Sequence, residues 1–428
     1  MLSSSSSLIT SCSPLHIQPN SDPSYKALQN HPSLSLLSQC NSAKSLKQIH
    51  SQIIKSGLHN TQFALSKLVE FCAISSSGDL SYALLIFKSI SNPNQIIWNT
   101  IIRGHCLKSY YILAVEFYVQ MLSCGVEPNS YTFPFLLKSC AKITGTRIGK
   151  QVHGHVLKMG FVNDVFVHSS LVNMYAQIGE LGYARLVFDK SSFRDAVSFT
   201  ALITGYTSRG YLDKACQLFD EIPVRDVVSW NAIIAGYAQS GKFEEALAFY
   251  NKMLRARVQP NESTLLTVLS VCAQSSSLDI GKQIHSWIED KGVEMKLRLN
   301  NGLIDMYSKC GDLETARNMF EGIKDKDVIS WNVMIGGYAH LCRYKEALSL
   351  FQQMHLSDIE PNDVTFLNVL PACAYLGALE ASLLEVESLL KEFRRADAKT
   401  VLSATMKYAA PAAAGGHGNF MSMHITKI

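Results

Sequence analysis

Residues 227–261 read VVSWNAIIAGYAQSGKFEEALAFYNKMLRARVQPN, and residues 328–362 read VISWNVMIGGYAHLCRYKEALSLFQQMHLSDIEPN. Both stretches have 35 residues, and residues 95–129 form a third copy. Each copy opens close to a Trp-Asn dipeptide, which begins at Trp98, Trp230 and Trp331. Self-similarity at a fixed period outranks chain length as a guide to architecture, because stacked repeats share one continuous core. The 428-residue chain is therefore predicted to form one elongated repeat array.

The chain divides into repeat units of three kinds when the copies are aligned on a recurrent Tyr. Units that we call Trp-Asn units have 35 residues and span 95–129, 227–261 and 328–362. GKQ units, also of 35 residues, span 130–164 and 262–296 and contain GKQVH or GKQIH, with a KQIH copy near 30–60. Short units of 31 residues span 165–195, 196–226 and 297–327, and 61–94 is a lengthened version. One additional short unit explains why Trp98 and Trp230 are 132 residues apart but Trp230 and Trp331 only 101.

Apolar side chains in each unit follow two helical stripes. In the unit 227–261, three-four spacing occurs at Trp230, Ile233, Ile234 and Tyr237, and again at Ala246, Phe249, Tyr250 and Met253. Gly241 separates the two stripes, and Gly179, Gly210 and Gly311 stand at the same place in other units, where a positive φ ends a helix easily. Pro260 ends the second stripe, since Pro cannot continue a helix. Each unit is predicted to be a helical hairpin whose apolar face is buried only by its neighbours.

Composition restricts the partners that the chain could have. A formal net charge of +4 is too small for a strongly basic nucleic-acid binder, so attraction for an acidic partner must come from local clusters of Lys and Arg. The eleven cysteines include no C-x-x-C pair and sit mostly in apolar stretches, which is typical of free cysteines that pack as small apolar side chains. No run of eighteen apolar residues occurs, so we predict no membrane span. Neither a membrane nor DNA is expected as a partner.

Sequence motifs for catalysis are missing. A zinc deaminase requires H-x-E followed by P-C-x-x-C, but none of the thirteen histidines is followed two residues later by Glu. H-E-x-x-H, G-x-x-x-x-G-K-[ST] and G-x-G-x-x-G are also missing. We therefore expect no catalytic residue, no metal ligand and no cofactor. His153 and His285, which recur in the GKQ units, are interpreted as packing or solvent-facing residues.

The two ends of the chain differ from the repeats. Residues 1–29 are rich in Ser, have no acidic residue before Asp22, and suit an organelle transit peptide. No Arg occurs before Arg103, which favours the chloroplast over the alternative, the mitochondrion; a merely disordered N-terminus is the other interpretation. The repeat pattern stops near residue 380, and 381–428 form a non-repeat tail whose AAPAAAGGHG segment has a disordered composition. A truncated gene model, a splice form and a functional short protein remain open.

The repeats at 227–261 and 328–362 resemble pentatricopeptide repeats, and the mixture of 31- and 35-residue units resembles the plant subclass with alternating long, short and standard motifs. The resemblance covers residues 30–380, and it includes the Trp-Asn opening, the EEAL or KEAL second helix, the Pro-Asn ending and the KQIH phrase. It implies an all-α fold, a right-handed α-solenoid superhelix of antiparallel helix pairs. It also implies sequence-specific binding of single-stranded organelle RNA.

The resemblance assigns base reading to the fifth and last residues of a unit, and stacking against the base to the second. The implied reading pairs are Asn99 with Asn129, Ser169 with Asp195, Thr200 with Asp226, Asn231 with Asn261, Asn301 with Asp327, and Asn332 with Asn362. The implied stacking residues are Ile96, Phe166, Val197, Val228 and Ile329, while Arg298 departs from the pattern. Short polar side chains can meet a base edge and aliphatic ones can contact its face, so the assignment is physically reasonable. The alternative is that these polar residues are only helix caps and turn formers.

The family's code, applied to these pairs, implies an order of bases. From the unit at 95 to the unit at 328 the order 5′ to 3′ is pyrimidine, any, G, G, pyrimidine, any, U, pyrimidine. The units that begin at residues 130, 262 and 363 carry Pro134, Leu266 and Leu367 at the fifth position. None of these three side chains can hydrogen-bond to a base, so these units are interpreted as spacers.

Members of the resembled subclass are mostly specificity factors for C-to-U editing, and some carry a C-terminal deaminase-like domain. We expect this chain to act as such a factor without its own catalysis, with an editing deaminase or accessory editing proteins as partners in trans. Two alternatives stay open at this point. One is stabilisation or processing of a transcript by occupancy, and the other is a protein-binding scaffold, since helical-hairpin solenoids also bind peptides.

Overall fold

The computed structural model describes residues 32–40, 42–58, 61–191, 194–357 and 359–377, and all its regular secondary structure within these ranges is helical. The predicted transit peptide at 1–29 and the predicted tail at 381–428 lie outside the described residues. The chain divides into two compact halves, Met1–Ala232 and Ile233–Ile428. The predicted all-α array of helix pairs is confirmed, and the two halves are described separately below.

The N-terminal half contains helices that alternate between the first and second positions of a unit. They are α1 Pro32–Ser35, α2 Ala43–Lys55, α3 Gln62–Ile74, α4 Leu80–Ser89, α5 Gln95–Leu107, α6 Tyr111–Ser123, α7 Phe133–Lys142, α8 Thr146–Lys158, α9 Val165–Ile178, α10 Leu181–Lys190, α11 Ala196–Thr207 and α12 Leu212–Asp220. Short 3₁₀ helices occur at Leu36–Gln39 and Phe161–Asn163. Odd numbers are first helices and even numbers are second helices.

The C-terminal half continues the same alternation. Its helices are α13 Val227–Gln239, which spans the division between the halves, α14 Phe243–Arg255, α15 Glu262–Gln274, α16 Leu278–Asp290, α17 Leu297–Lys309, α18 Leu313–Gly322, α19 Val328–His340, α20 Tyr344–Leu356 and α21 Asp363–Gly377. From α3 to α9 in the N-terminal half and from α15 to α19 in the C-terminal half, each first helix packs against its own second helix and against the first helix of the next unit. The first helices of a half therefore form one continuous layer, and residues at equal positions of successive units become neighbours.

In the units between residues 95 and 362, the turn between the two helices contains a left-handed residue at the fifteenth position of the unit. The predicted glycines adopt this conformation, with φ of 104° at Gly179, 76° at Gly210, 70° at Gly241 and 93° at Gly311. Non-glycine residues adopt it at the same position in other units, namely Ser109, Thr144, Ser276 and Cys342, with φ between 49° and 65°. The left-handed region is unfavourable for residues with a Cβ. The packing of the two helices thus imposes the turn even where the sequence lacks glycine.

Second helices account for the difference between the two repeat lengths. Those of the 35-residue units, α6, α8, α14, α16 and α20, each have 13 residues. Those of the short units, α10, α12 and α18, have only 9 or 10 residues. Four of these five 35-residue units also have a second left-handed residue after this helix, at Gly125, Gly160, Arg257 and Gly292. From α3 onward, first helices have 12 to 15 residues in both kinds of unit except α7, which has 10, so the layer that carries the candidate site is nearly uniform.

Small residues set the separation between neighbouring first helices. A Cβ added at Gly337 in α19 would lie 2.4 Å from the Cβ of Ser308 in α17, and one added at Gly104 in α5 would lie 2.8 Å from the Cβ of Ala73 in α3. Real Cβ atoms do not approach each other this closely. A glycine near the end of the first helix therefore permits the close approach of the preceding first helix in both halves.

Histidines of the second helices form hydrogen bonds that the sequence did not indicate. His153 Nδ1 lies 2.9 Å from the hydroxyl of Tyr175, and His285 Nδ1 lies 2.9 Å from the hydroxyl of Tyr307. His50 and the hydroxyl of Tyr82 are 2.7 Å apart. Each bond joins the second helix of one unit to the following unit, so the interpretation of His153 and His285 as packing or solvent-facing residues was incomplete. They connect neighbouring units.

Acid is expected to destabilise the fold below about pH 6.5 because several histidines are buried. Burial lowers the pKa of His50, His105, His153 and His168 from the ordinary value of 6.5. The unfolded chain therefore binds protons first as the pH falls, and the free energy of unfolding decreases from about pH 7 towards about pH 5. Urea unfolding at several pH values measures this decrease. Between about pH 7 and 8 these histidines should contribute no change, which is the control, and a stability that is constant down to about pH 5 would contradict the prediction.

The helices of the described residues are all too short or too polar to cross a membrane.

Candidate functional site

The fifth residue of each unit lies one turn into the first helix, and the last residue lies at the start of the next first helix. The last residue of each pair accepts a backbone N–H through a side-chain oxygen. In five pairs the donor belongs to the next first helix, and for Asn129 it is Tyr131, in the turn before α7. Donor–acceptor distances are 3.1 Å for Asn129, 2.9 Å for Asp195, 2.9 Å for Asp226, 3.0 Å for Asn261, 2.8 Å for Asp327 and 3.1 Å for Asn362. Five of these residues are therefore true helix caps, whereas Asn129 stabilises the turn that precedes α7. The alternative interpretation, that these residues are only helix caps and turn formers, therefore accounts for this first contact. It does not account for a second contact that they make.

In four pairs, the last residue also forms a hydrogen bond with the fifth residue of the same unit. In the unit 95–129, Asn99 Nδ2 donates to Asn129 Oδ1 over 2.9 Å. In the unit 328–362, Asn332 Nδ2 donates to Asn362 Oδ1 over 2.9 Å. Threonines three residues after the last position complete both networks, since Thr132 and Thr365 each donate to the fifth-position Asn over 2.6 Å. Two of the three predicted Asn pairs are thus brought together and held in one orientation.

Two of the pairs that end in Asp are also brought together. Ser169 Oγ donates to Asp195 Oδ2 over 2.7 Å, and Asn301 Nδ2 donates to Asp327 Oδ1 over 3.4 Å. Burial alone would raise the pKa of Asp195, but hydrogen bonds from Ser198 and Ser169 outweigh burial and hold its pKa below the ordinary 3.8. The pKa of Asp327 is lowered in the same way, since hydrogen bonds from Ser330 and Asn301 outweigh burial. Both carboxylates are ionised at neutral pH and act only as acceptors.

Thr200 and Asp226 are neighbours without a hydrogen bond between their side chains. Thr200 Oγ1 is buried and has no hydrogen-bond partner among the described residues, and Asp226 is exposed. Asn301 Oδ1 is likewise buried without a partner in the part of the chain that the structure describes. An unsatisfied buried polar atom costs about 1–3 kcal/mol, so each of these atoms would gain from a ligand that brings a donor.

Asn231 and Asn261 occupy the corresponding positions of their unit. Asn231 is half-buried on α13, and Asn261 caps α15 through a capping box with Thr264.

The predicted stacking residues are exposed apolar side chains. Their exposed fractions are 54% for Ile96, 77% for Phe166, 59% for Val197, 52% for Val228 and 53% for Ile329. Sequence reasoning missed two more second-position side chains, Tyr131 and Val364, which are 76% and 51% exposed. Both belong to units that are interpreted as spacers because their fifth residues are apolar, yet their second-position side chains are exposed as in the reading units. Arg298 is exposed, and its guanidinium lies 3.9 Å from the Glu262 carboxylate.

A groove in the N-terminal half passes over several of these residues. It has a volume of about 720 Å³ and is lined by the second-position side chains Val197 and Val228 and by the reading pair Thr200 and Asp226. Lys142 and Arg209 also line it and bring positive charge to an otherwise largely apolar and small-residue surface. In a bound nucleotide, the apolar wall would contact the face of the base and the polar pair would contact its edge. The cations would contact the phosphate.

In the described residues, no group of three or more His, Cys, Asp or Glu side chains is arranged to hold a metal ion.

Tandem helical hairpins with a repeated polar pair beside an apolar side chain define a helical-repeat protein whose binding surface is built unit by unit. Family models agree with this class: the model described as the PPR repeat family matches residues 93–142, 225–274 and 326–374, and two models described as PPR repeat match 191–223 and 301–328. The chain belongs to the pentatricopeptide repeat family.

Relatives in Arabidopsis thaliana extend the similarity over most of the chain. Pentatricopeptide repeat-containing protein At1g08070, chloroplastic, is 59% identical over 89% of this chain and 52% of its own length. The protein At2g20540 is 43% identical over 84% of this chain and 67% of its own length. The chain thus spans about half to two thirds of the length of these relatives. The chloroplast localisation predicted from the sequence agrees with the name of the first relative.

Solved structures similar to this chain include maize pentatricopeptide repeat protein PPR10. It shares 16% identity, with a TM-score of 0.49, over 90% of this chain and 67% of PPR10. A structure of PPR10 in complex with an 18-nt psaJ RNA element has a TM-score of 0.42 and covers 86% of this chain and 64% of that one.

Proposed function

We propose that this protein binds single-stranded chloroplast RNA in a sequence-specific manner, with one base for each reading unit. The convergence of two polar side chains beside an exposed apolar one supports this most directly. Asn99 and Asn129 are 30 residues apart in sequence, and Ser169 and Asp195 are 26 apart, yet each pair is joined by a hydrogen bond. Neither contact is needed to cap a helix, since the cap uses only the last residue. A base edge is the ligand that such a pair would recognise.

Each base would lie between the second-position side chains of successive units. Val197 and Val228 flank the pair Thr200 and Asp226 in the groove of the N-terminal half. Contact with both faces of an unpaired base stabilises single-stranded RNA and tolerates any sequence, so these contacts would supply affinity. The polar pair would then supply specificity. The predicted reading residues and stacking residues keep these roles in the proposal.

The proposed order of bases is pyrimidine, any, G, G, pyrimidine, any, U, pyrimidine, read 5′ to 3′ from the unit 95–129 to the unit 328–362. At neutral pH, Asp195 and Asp327 are ionised acceptors, which suits donors on the edges of G and U. Asn pairs offer a donor and an acceptor together, and the code of the family associates them with pyrimidines.

The finer role that we propose is that of a specificity factor for C-to-U editing, in which a deaminase or accessory editing proteins act in trans. The mixture of Trp-Asn, GKQ and short units, typical of the plant subclass with alternating motifs, supports this role. Stabilisation of a transcript by occupancy uses the same interface and is the second candidate. Crosslinking the protein to chloroplast RNA and sequencing the bound transcripts separates them: sites just upstream of edited cytidines favour editing, and transcript ends favour protection.

Binding to a short RNA of the proposed order tests the function itself. The purified chain should bind an RNA containing this order at least about tenfold more tightly than an RNA of the same composition in which the two G positions and the pyrimidine positions are exchanged, since each good base contact contributes about 1–3 kcal/mol. A competition gel shift at fixed salt measures the ratio. Absence of RNA binding even at low salt would overturn the proposal and favour a protein-binding scaffold.

A further inference from the structure

Aromatic rings connect the second helix of each short unit to the first helix of the next unit. Phe188 and Phe199 have ring centroids 4.9 Å apart, Phe219 and Trp230 are 4.8 Å apart, and Phe320 and Trp331 are 5.1 Å apart. All three pairs are nearly perpendicular, with interplanar angles of 68° to 78°. The second ring of each pair directly precedes a fifth-position residue, namely Thr200, Asn231 or Asn332.

A cation lies over the first ring of each pair. The guanidinium carbon of Arg194 is 4.9 Å from the centroid of Phe188, and that of Arg225 is 5.0 Å from the centroid of Phe219. The ammonium nitrogen of Lys326 is 4.9 Å from the centroid of Phe320. These distances are within the range of cation–π attraction. Each cation directly precedes a last-position carboxylate, which is Asp195, Asp226 or Asp327.

Further contacts fix each cation at the end of the second helix. Arg225 donates from Nε to the carbonyl oxygen of Phe219 over 3.2 Å and from Nη2 to that of Asp220 over 3.1 Å. Lys326 Nζ donates to the carbonyl oxygen of Ile323 over 2.6 Å. Carbonyls at a helix C-terminus lack partners within the helix, so a cation there is stabilised by them. Arg194 instead lies 3.6 Å from the Asp189 carboxylate and 3.9 Å from that of Glu221.

The Trp-Asn units have a proline, not a cation, directly before the last residue. Their last residues follow a proline, at Pro128, Pro260 and Pro361. Proline fixes φ by its ring, so it restricts the approach to the following Asn without any side-chain contact. The short units lack this proline. There, the cation–π contact restrains the chain before the last residue instead.

We propose that Arg194, Arg225 and Lys326 are positioning residues for base recognition, each holding the adjacent Asp in place by binding the ring of Phe188, Phe219 or Phe320. One phenylalanine thereby connects the last-position Asp of a short unit to the fifth position of the next unit. The inference rests on the proposed function, because the Asp residues are taken to read bases. The cations themselves contact protein rather than RNA.

Variants of Arg225 separate this role from a direct contact with an RNA phosphate. Arg225→Met keeps the length of the side chain and removes its charge, whereas Arg225→Lys keeps the charge and matches Lys326 in another short unit. We expect Arg225→Met to reduce the preference for G at the fourth nucleotide about two- to fivefold, in line with a cation–π contact, and Arg225→Lys to retain most of it. The slope of log K against log salt should not change. A phosphate contact would instead lower that slope by about 0.7 and weaken all sequences equally, which would overturn the proposal.

Hydrogen exchange of the RNA-free protein tests the positioning without any RNA. The amide of Ser229 donates to Asp226 Oδ1 over 2.9 Å, so it should exchange about two- to fivefold faster in Arg225→Met if the cation holds Asp226 in place. The amide of Thr264, which donates to Asn261 after Pro260, is the control and should be unchanged. An unchanged rate at Ser229 would overturn the inference. If the protein bound no RNA, the proposed function would fail, while this measurement would still decide the positioning.

Discussion

Replacing Thr200 by Asn is expected to change the base preferred at the fourth of the eight proposed nucleotides from G to U. Thr200 offers a single hydroxyl, and its Oγ1 is buried without a partner among the described residues. Asn offers an amide with both a donor and an acceptor. The last residue, Asp226, is unchanged, so the variant reproduces the combination of Asn301 with Asp327, which is proposed to read U. The ratio of the dissociation constants for RNAs with G and U should shift by about tenfold or more, because one good base contact contributes about 1–3 kcal/mol.

The reciprocal change provides the matched test. Asn301→Thr should move the preference at the seventh nucleotide from U to G, since it reproduces Thr200 with Asp226. Thr267→Asn makes the same chemical change as Thr200→Asn on α15, in a GKQ unit that is proposed not to read a base, and should leave all preferences unaltered. Competition binding with RNAs that differ at one nucleotide measures each ratio. If both reading variants kept the preferences of the unchanged protein, the fifth position would not read bases in this protein.

Replacing Gly337 by Ala is expected to lower the free energy of unfolding by about 1–3 kcal/mol, the usual cost of overpacking a close contact. The added Cβ would lie 2.4 Å from the Cβ and 2.6 Å from the Oγ of Ser308. Neither helix can relieve the overlap by rotating a flexible side chain, because the atom in the way is a Cβ. The first helices α17 and α19 would have to separate. Since α17 and α19 carry Asn301 and Asn332, the distance between two reading positions would change as well.

Urea unfolding of three variants measures the effect. Gly322→Ala is the control, because a Cβ at Gly322 meets no atom within 4 Å. Its midpoint should be unchanged or slightly raised, since Ala is favoured over Gly in helices by up to about 1 kcal/mol. Adding Ser308→Gly to Gly337→Ala removes the clashing Cβ and should restore part of the lost stability. A midpoint for Gly337→Ala equal to that of Gly322→Ala would show that the close approach of the two helices does not constrain the fold.

Some features of the site could be predicted from the sequence because they depend on period alone. First helices begin at Gln95, Val165, Ala196, Val227, Leu297 and Val328, each at the start of a unit assigned from the sequence. Given the period, the fifth and last positions follow by counting. The left-handed turns at Ser109, Thr144, Ser276 and Cys342 could not be predicted in this way, because these residues have no preference for positive φ. Tyr131 and Val364 were missed because exposure at the second position is independent of the residue at the fifth.

The two-helix unit, its two lengths and the residues that fall at each position follow from the sequence, because apolar spacing, glycine and proline act through local backbone preferences. Which residues come into contact depends on how the helices pack. Asn332 forms hydrogen bonds with Asn362 and Thr365 because α21 packs against α19. Lys326 lies over the ring of Phe320 because the chain turns back over the end of α18. Such contacts join residues that are adjacent in neither a helix nor a turn, and their distances are set by how closely neighbouring helices can pack. The glycines opposite Ala73 and Ser308 set that distance.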